Sequence, residues 1–534
     1  MSSLSQLPLT RVDGLTLIGG SALIVYFVFK RVEPAVVSVW TGLLGLLPAS
    51  LSYVYHLMVV PRATMLQSVA VTFALFYFTL LLAILFYRLS PFHPLSGYPG
   101  PRVCKASKIR FALKARTGHQ HLYLQCLHDT YGDIVRIGPN EISIRDAAAI
   151  HPLMGTTGVP KGQNWDGRVL HNPVRSMIAI RDSAEHVQRR RPWSRAFSSS
   201  KMKEYEPIIA RRTSEFVDAI LEKKGTFDFA KMISYFTFDF MSDMAFGGGS
   251  DMMKNEDKEG LWKILDSGLE RTIILDHLPW LAHLVKLIPG AAKDVKLYRA
   301  LGVKKASERQ QSGSKINDLF YYLSNDDKCE KVTPPHAVTV ADGILAMVAG
   351  ADTSSTALSN LIYCILRHPP TYQRLQEEID EFYPAGESTF DTKYLKEMHY
   401  LDAVINETLR LYPPVPSGSQ RTTTEETGGK LIGDHYIPIH TQVRVHTWSL
   451  HRDSRNFSPV PESFWPERWL VAEQIMPAPL GSSPFTHNMN AFIPFSYGPA
   501  NCVGKNLAIL EMKMLKHGPH HRLCPTVMWI AIGC

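Results

Sequence analysis

The chain has 534 residues, 45% hydrophobic and 20% charged, and this ordinary globular composition excludes a mainly disordered protein. Its 57 Lys and Arg against 49 Asp and Glu give a net charge of +8. That charge suits an anionic membrane surface but is too diffuse to indicate nucleic-acid binding. The seven cysteines are widely spaced and include no CxxC pair, which argues against a disulfide framework or a zinc knuckle and favours a reducing compartment.

Three apolar runs occupy residues 14–29, 36–60 and 67–87. A membrane-spanning helix needs about 20 apolar residues. The third run is long and uncharged, the second is interrupted by Pro48 and His56, and the first is borderline. A signal peptide is the alternative for the first run, but Lys30 and Arg31 stand where a small-residue cleavage site should be. We predict that residues 1–90 form a membrane anchor with up to three transmembrane helices.

The segment after the anchor is basic and rich in proline. Residues 88–116 contain seven Lys or Arg and no Asp or Glu, so the positive-inside rule places them, and the body that follows, in the cytosol. Pro91, Pro94, Pro99 and Pro101 cannot continue a helix. They predict a stiff, extended hinge between the anchor and the body.

The body has mainly helical periodicity with two short β regions. Alternating patterns predict strands within residues 133–144 and 430–445. Apolar periodicity predicts helices over residues 203–222, 338–367, 370–382 and 396–411. We expect a mainly α fold with small β-sheets, forming one large domain over residues 91–515.

Two polar patterns lie on predicted helices. His186 and Arg190 are four residues apart and share one helix face, although a run of arginines there is often a solvated surface. Further on, AGADTS at residues 349–354 runs against helix propensity in the middle of a helix, and its side chains can open the backbone ladder. A surface N-cap is the alternative for Asp352 and Thr353. The apolar flanks bury this helix, however, and buried polar groups need a partner or a purpose.

A third pattern pairs Glu407 with Arg410, three residues apart on the predicted helix 396–411. Such a pair is most often a surface ion pair worth less than about 1 kcal/mol. Some fifty residues later the chain reads FWPERW, which includes Arg468.

The fourth pattern is FSYGPANCVG at residues 495–504, where Cys502 lies between Gly498 and Gly504 and directly before a predicted helix. The helix N-terminus is expected to lower the pKa of the thiol and to favour the thiolate. The glycines leave room for a flat partner to approach the sulfur. A single cysteine is more often only a buried free thiol.

Taken in this order, the four patterns resemble the cytochrome P450 family, whose haem-ligand loop has the form F-x-x-G-x-R-x-C-x-G. The resemblance covers about residues 90–515 and looks most like fungal microsomal members. It implies haem b (iron protoporphyrin IX), with Cys502 as the axial ligand of the iron and Phe495 and Gly498 in the cofactor-binding loop. Ala500 departs from the pattern, because the family usually has an arginine there that pairs with a haem propionate.

The resemblance also implies where the propionates are held. His186, Arg190 and Arg421 match family positions that contact them, and charge-assisted pairing explains the arginines. With Ala500 neutral, Arg190 and Arg421 are expected to supply more of the positive charge.

Two further roles follow from the resemblance. Asp352 and Thr353 match the acid–alcohol pair that delivers protons to bound oxygen. Glu407, Arg410 and Arg468 match a buried structural network that holds the haem side of the domain and takes no part in catalysis.

The implied function is that of a haem-thiolate monooxygenase in the endoplasmic reticulum membrane, with its catalytic domain in the cytosol. It would insert one oxygen atom from O2 into a lipophilic secondary metabolite or xenobiotic. Electrons would come from NADPH through a separate NADPH-cytochrome P450 reductase, because the chain has no visible nucleotide-binding fingerprint. One alternative is a member that uses peroxide or an oxygenated substrate, against which the pair Asp352 and Thr353 argues.

The second alternative, a non-catalytic membrane-bound haem protein, comes from residues 516–534. Gly518 and Pro519 end the last predicted helix, and the residues after them do not alternate as the family's final strands do. We expect this tail to be a truncated or altered version of a longer one. A genuine short variant is the other interpretation.

Overall fold

The computed structural model describes residues 10–31, 37–168, 174–258, 260–291, 293–313, 317–384, 387, 391–478 and 484–514. The prediction for the tail, residues 516–534, lies outside these residues. The described chain is mainly helical with small β-sheets, as the sequence predicts.

The first part of the chain forms helices long and apolar enough to cross a membrane at each of the three apolar runs. They are α1 (Arg11–Arg31), α2 (Val37–Trp40) continuing through a π-helix (Thr41–Leu46) into α3 (Leu47–Met58), and α4 (Met65–Leu89). Both α1 and α3 pack against α4. The ammonium group of Lys30 lies 3.5 Å from the ring centre of Tyr87, so α1 and α4 end at the same level.

The second apolar run stays helical through Pro48 because its neighbour supplies the missing hydrogen bond. Proline has no N–H, which leaves the carbonyl of Leu44, four residues earlier, without its helical donor. The hydroxyl of Tyr77 on α4 donates to that carbonyl. In lipid every backbone polar group needs such a partner, so the contact explains how an interrupted run can still span.

The predicted extended hinge is wrong, because residues 90–98 form turns that pack against the body. Leu95 and His93 are buried. The buried guanidinium of Arg136 donates to the carbonyls of Arg88 and Leu95 at 3.0 and 3.4 Å. The turns bury Leu95, and they place carbonyl oxygens where Arg136 can donate to them. Both effects favour compact turns over an extended linker.

The body contains nineteen further α-helices in the described residues. They are α5 (Arg102–Ala106), α6 (Ile109–Arg116), α7 (Gln120–Tyr131), α8 (Ile150–Met154), α9 (Asn164–Arg168), α10 (Ser183–Ala196), α11 (Ser199–Leu221), α12 (Phe229–Phe246), α13 (Met252–Asn255), α14 (Leu261–His277), α15 (Leu281–Val285), α16 (Lys293–Ser312), α17 (Leu319–Leu323), α18 (His336–Arg367), α19 (Pro369–Phe382), α20 (His399–Leu411), α21 (Thr447–His451), α22 (Glu467–Ala472) and α23 (Lys505–Met514). The four helices predicted from periodicity are α11, α18, α19 and α20, displaced by at most a few residues.

The strands are β1 (Ile134–Gly138), β2 (Glu141–Ile144), β3 (Gln420–Thr422), β4 (Lys430–Ile432), β5 (His435–Ile437), β6 (Gln442–Val445), β7 (Phe457–Ser458) and β8 (Thr486–His487). The largest sheet has the order β1-β2-β6-β3. Within it β2 and β6 are parallel, and the two outer pairs are antiparallel. The other strands form two-stranded sheets.

Helix α18 lies at the centre of the core and packs closely on α12. Gly343 and Gly350 are seven residues apart on one face of α18. A Cβ at Gly343 would collide with the ring of Phe246, and one at Gly350 with the side chain of Met241. Glycine at these positions therefore lets the Phe246 and Met241 side chains of α12 pack directly on the backbone of α18.

The expectation that AGADTS opens this helix is wrong, since α18 is one continuous α-helix from His336 to Arg367. The hydroxyls of Thr353 and Thr356 donate to carbonyls four residues earlier, at 2.7 and 3.0 Å. These hydroxyls share acceptors with the helical ladder and leave it intact. Although α18 also meets the length and apolarity of a span, it lies in the core of the body.

Candidate functional site

The loop before α23 presents Cys502 between tightly held backbone segments. The amide of Cys502 donates to the carbonyl of Phe495 at 2.9 Å. Gly498 has φ +72°, and a Cβ there would collide with the carbonyl of Met154. Glycine is therefore required both by the left-handed backbone and by the close approach. The Cys502 side chain is exposed by its surface area, although enough protein lies around the sulfur to desolvate it.

Two opposing effects act on the Cys502 thiol. Burial is the larger effect and raises its pKa, whereas the amide of Gly504 and the charges of Arg190 and Lys505 lower it. The prediction that the helix N-terminus lowers the pKa of Cys502 is therefore wrong for the free thiol. A metal ion bound to the sulfur would remove the proton outright.

Lys161 and Arg421 are brought face to face by strand pairing. They form an antiparallel bridge between β3 and the chain at residues 160–162, and directly opposite residues of such a pair point to the same side. Both are buried. The Lys161 ammonium donates to the carbonyl of Ile178 at 2.8 Å, and the Nε of Arg421 has no hydrogen-bond partner among the described atoms. Like charges placed this way repel each other.

His186 and Arg190 extend the same cationic region from α10. His186 is buried, and burial together with Lys161, Arg190 and Arg421 lowers its pKa to about 4. Arg190 donates to the backbone and side-chain oxygens of Asn501 at 2.6 and 2.7 Å. Arg190 therefore holds the residue before Cys502 and also acts on the charge state of His186.

We call Lys161, His186, Arg190 and Arg421 the cationic cluster. Within the described part of the chain, no carboxylate is among the causes of the pKa shifts of these four groups. Burial, Arg421 and Arg190 together lower the pKa of Lys161 to about 7. Buried charges are ordinarily paired, so the cluster fits a ligand that carries carboxylates. Patterns local in sequence did not reveal Lys161, because it meets Arg421 only through long-range pairing.

The neighbours of Arg190 have different partners. Arg189 pairs with the buried Asp342 of α18 at 2.7 Å, and the indole of Trp193 donates to the same carboxylate at 3.3 Å. Asp342 therefore fixes α10 against α18. Arg191 is exposed, so the solvated interpretation holds for one arginine of the three.

The acid–alcohol pair lies on α18 with both side chains partly exposed. Thr353 Oγ1 donates a hydrogen bond to the carbonyl of Ala349 at 2.7 Å, which leaves the lone pairs of Oγ1 available to accept another hydrogen bond. Asp352 precedes it by one residue on a neighbouring face of the helix. Thr353 Oγ1 can therefore accept a hydrogen bond from a group beside α18, and Asp352 places a carboxyl group next to it in the chain.

The structure brings Glu407, Arg410 and Arg468 together in a network with no solvent exposure. Arg410 forms two hydrogen bonds to the Glu407 carboxylate at 2.7 and 2.8 Å, and Arg468 forms one at 3.1 Å. The backbone amide of Trp465 and the indole of Trp469 also donate to this carboxylate. Burial alone would raise the pKa of Glu407, but the contacts with Arg410, Arg468 and the Trp465 amide outweigh it and lower the pKa.

His451 connects this network to the cysteine loop. Its Nδ1 lies 3.0 Å from the carbonyl of Arg410, and its Nε2 accepts the amide of Ile493 at 3.0 Å. Burial is the main reason that the pKa of His451 is lowered to about 3, so the ring is neutral. Ile493 precedes Phe495 by two residues, and the network therefore positions the loop. A single histidine without a surrounding motif gave no signal of this role.

Comparison with known proteins finds a similarity that includes all the site residues described above. A family model described as cytochrome P450 matches residues 98–517. The cytochrome P450 monooxygenase FCK2 of Fusarium pseudograminearum is 34% identical over 82% of this chain and 77% of its own length. The cytochrome P450 monooxygenase phqL of Penicillium fellutanum is 33% identical, over 81% and 74%. Cytochrome P450 67 of Uromyces fabae is 32% identical, over 82% and 81%.

Proposed function

Because the chain belongs to the cytochrome P450 family of haem-containing monooxygenases, we propose that it inserts one oxygen atom from O2 into a lipophilic organic substrate, with Cys502 holding the haem iron. The observation that carries this assignment is the Cys502 loop. It combines an accessible sulfur, a left-handed glycine and a helix that starts three residues later. A thiolate ligand is the form that this family uses for activating oxygen.

The residues around Cys502 fit a haem. Haem b carries two propionate carboxylates, and the cationic cluster supplies Lys161, Arg190 and Arg421, for which no carboxylate of the described residues is a counter-charge. The buried, unpartnered Nε of Arg421 is the donor that such a carboxylate would satisfy. These cations would take over the role of the arginine that Ala500 replaces. When bound, the haem supplies the oxidation chemistry, and the protein supplies orientation and charge.

We assign proton delivery to Asp352 and Thr353. Thr353 Oγ1 already donates to Ala349, so its lone pairs can accept a hydrogen bond from a group in the site and hold that group in place to receive a proton. Asp352 would supply that proton from the partly exposed side of α18. General acid–base groups of this kind contribute about 10²–10⁴-fold to rate.

We further propose that residues 1–90 serve as the anchor and residues 91–515 carry the chemistry. The three N-terminal helices and the basic residues after them support insertion with the catalytic domain in the cytosol, as in the endoplasmic reticulum. Electrons would come from NADPH through a separate reductase. A fungal secondary metabolite or a xenobiotic is the proposed substrate class, in keeping with the fungal relatives.

The assignment of Cys502 is tested by Cys502→Ser, with Cys329→Ser as the matched control because Cys329 is also an exposed free thiol. The reduced wild-type protein with carbon monoxide should show the long-wavelength band of a thiolate ligand. Cys502→Ser should lose this band, and Cys329→Ser should keep it. Persistence of the band in Cys502→Ser would mean that another residue binds the iron.

Proton delivery is tested by Thr353→Ala, measured as product formed per NADPH consumed. Thr356→Ala is the control, since Thr356 makes the same kind of hydroxyl-to-carbonyl bond three residues later on α18. Thr353→Ala should retain haem but divert electrons into peroxide. Equal product per NADPH in the two variants would remove this role from Thr353.

A further inference from the structure

A buried carboxyl group joins the helix that carries Thr353 to the helix that follows Cys502. Glu511 lies on α23 and is 1% exposed. Ser354, the residue after Thr353, donates its hydroxyl to Glu511 Oε2 at 2.8 Å. The other oxygen, Oε1, has no hydrogen-bond partner among the described residues. An ionised carboxylate with only one hydrogen bond is costly to bury.

The surroundings of Glu511 favour its neutral form. Burial raises its pKa to about 8, and the only opposing effect is the hydrogen bond from Ser354. Charged groups on the neighbouring helices are engaged elsewhere: Lys513 of α23 pairs with Asp402 of α20, and Arg212 of α11 lies in a separate ion-pair cluster. None of them contributes to the pKa of Glu511.

We propose that Glu511 is a positioning residue that works as an uncharged acid, holding α18 against α23 and so fixing Thr353 relative to the Cys502 loop. Ionisation would place an unpaired charge between the two helices, which would draw water in and separate them. The consequence for the Cys502 loop rests on the proposed function. The consequence for folding does not.

Two readouts follow across pH in the wild-type holoprotein. Glu511 ionises near its ordinary 4.5 in the unfolded chain and near 8 in the folded one, so the folded state binds the extra proton between these values. Stability should therefore fall from pH 4.5 to about 8 and then level off. The long-wavelength carbon-monoxide band should decay reversibly as the pH rises through about 8.

The test compares Glu511→Gln, Ser354→Ala and the exposed control Glu381→Gln with the wild type by thermal unfolding and by the carbon-monoxide band. Glu511→Gln keeps an uncharged side chain of the same shape, so it should remove both pH transitions. Ser354→Ala removes the bond that stabilises the carboxylate, so its transitions should move upward by roughly 0.5–1 pH unit. Glu381→Gln should match the wild type.

The outcomes separate this inference from the proposed function. If Glu511→Gln retains the wild-type transitions, or if Ser354→Ala moves them downward, the positioning role is wrong. Should Glu511→Gln fail to fold, the direction of the Ser354→Ala shift alone decides. If the wild type never shows the long-wavelength band, the proposed function fails, while the unfolding profiles still test Glu511.

Discussion

Two groups of buried cations lie in the body of this protein, and they differ in where their counter-charge comes from. In the network, Arg410 and Arg468 share the carboxylate of Glu407, and all three have no solvent exposure. In the cationic cluster, Lys161 and Arg421 stand opposite each other, and no carboxylate among the described residues affects their pKa. The network is complete within the described fold, whereas the cluster lacks a carboxylate there and would be completed by the anionic ligand proposed above.

This difference separates stabilising residues from binding residues better than burial does, because the network and the facing pair Lys161 and Arg421 are all buried. Removing a partner from the network leaves a buried charge uncompensated. Removing a cation from the cluster relieves repulsion in the free protein and weakens the hold on the ligand. Substitutions in the network are therefore expected to lower the stability of the protein, whereas substitutions in the cluster are expected to raise the stability of the haem-free protein.

The largest effect is expected from Glu407→Gln. The change leaves Arg410 and Arg468 buried without a carboxylate, which should lower the free energy of unfolding by roughly 3–5 kcal/mol. Urea unfolding measures this loss. The control is Glu308→Gln, which removes an exposed partner of Lys304 and should cost less than about 1 kcal/mol. Equal effects of the two changes would contradict a special role for the network.

A smaller effect of a different kind is expected from Arg421→Gln. The rate of haem transfer to an acceptor protein should rise about 10–100-fold, the range seen when groups that support a bound metal are removed. The haem-free protein should be as stable as the wild type or more stable, because one of two facing cations is gone. A loss of stability in the haem-free protein would place Arg421 with the network instead.

The sequence alone was sufficient to predict a feature where the residues that form it lie close together in the chain. Glu407 and Arg410 lie three residues apart, and the Cys502 loop is one continuous stretch, so short patterns revealed both. The three apolar runs also predicted where helices long and apolar enough to cross a membrane form, because a span needs about 20 apolar residues in sequence. Even Pro48 did not mislead the prediction, although its compensation by Tyr77 required the packed structure.

The sequence alone was insufficient where a feature depends on residues that lie far apart in the chain. Lys161 and Arg421 meet only when β3 pairs with a segment some 260 residues earlier, a distance at which no periodicity is visible. The pKa of Cys502 depends on burial that the helix-terminus argument omits. The four prolines led us to predict an extended hinge. They do not reveal that Leu95 is buried or that its carbonyl accepts a hydrogen bond from Arg136.

A moderate, pH-dependent effect is expected at Lys161. In the folded, haem-free protein its pKa is lowered from 10.5 to about 7, so the unfolded chain binds the extra proton between these values. Stability of the haem-free protein should rise with pH across that window. Nearby carboxylates raise the pKa of a lysine, so haem binding should take up a proton above about pH 7. Haem affinity should then fall by up to about tenfold per pH unit.

Two substitutions at Lys161 isolate this effect in haem titrations at several pH values. Lys161→Met should bind haem more weakly with a flat pH profile, since no proton is taken up. Lys161→Arg should also be flat, because arginine stays charged throughout, but its affinity should stay near the low-pH value of the wild type. A wild-type profile retained in Lys161→Met would assign the proton to another group.

The smallest effect, and the sharpest control for the comparison, is expected from Arg191→Ala. Arg191 follows Arg190 on α10 but is exposed, so its loss should change the free energy of unfolding by no more than about 0.5 kcal/mol. Haem retention should also be unchanged, because water and salt screen an exposed charge. Arg191→Ala removes the same formal charge as Arg421→Gln. If both accelerate haem loss equally, a diffuse positive field holds the ligand; if only Arg421→Gln does so, the buried cations that face one another hold it.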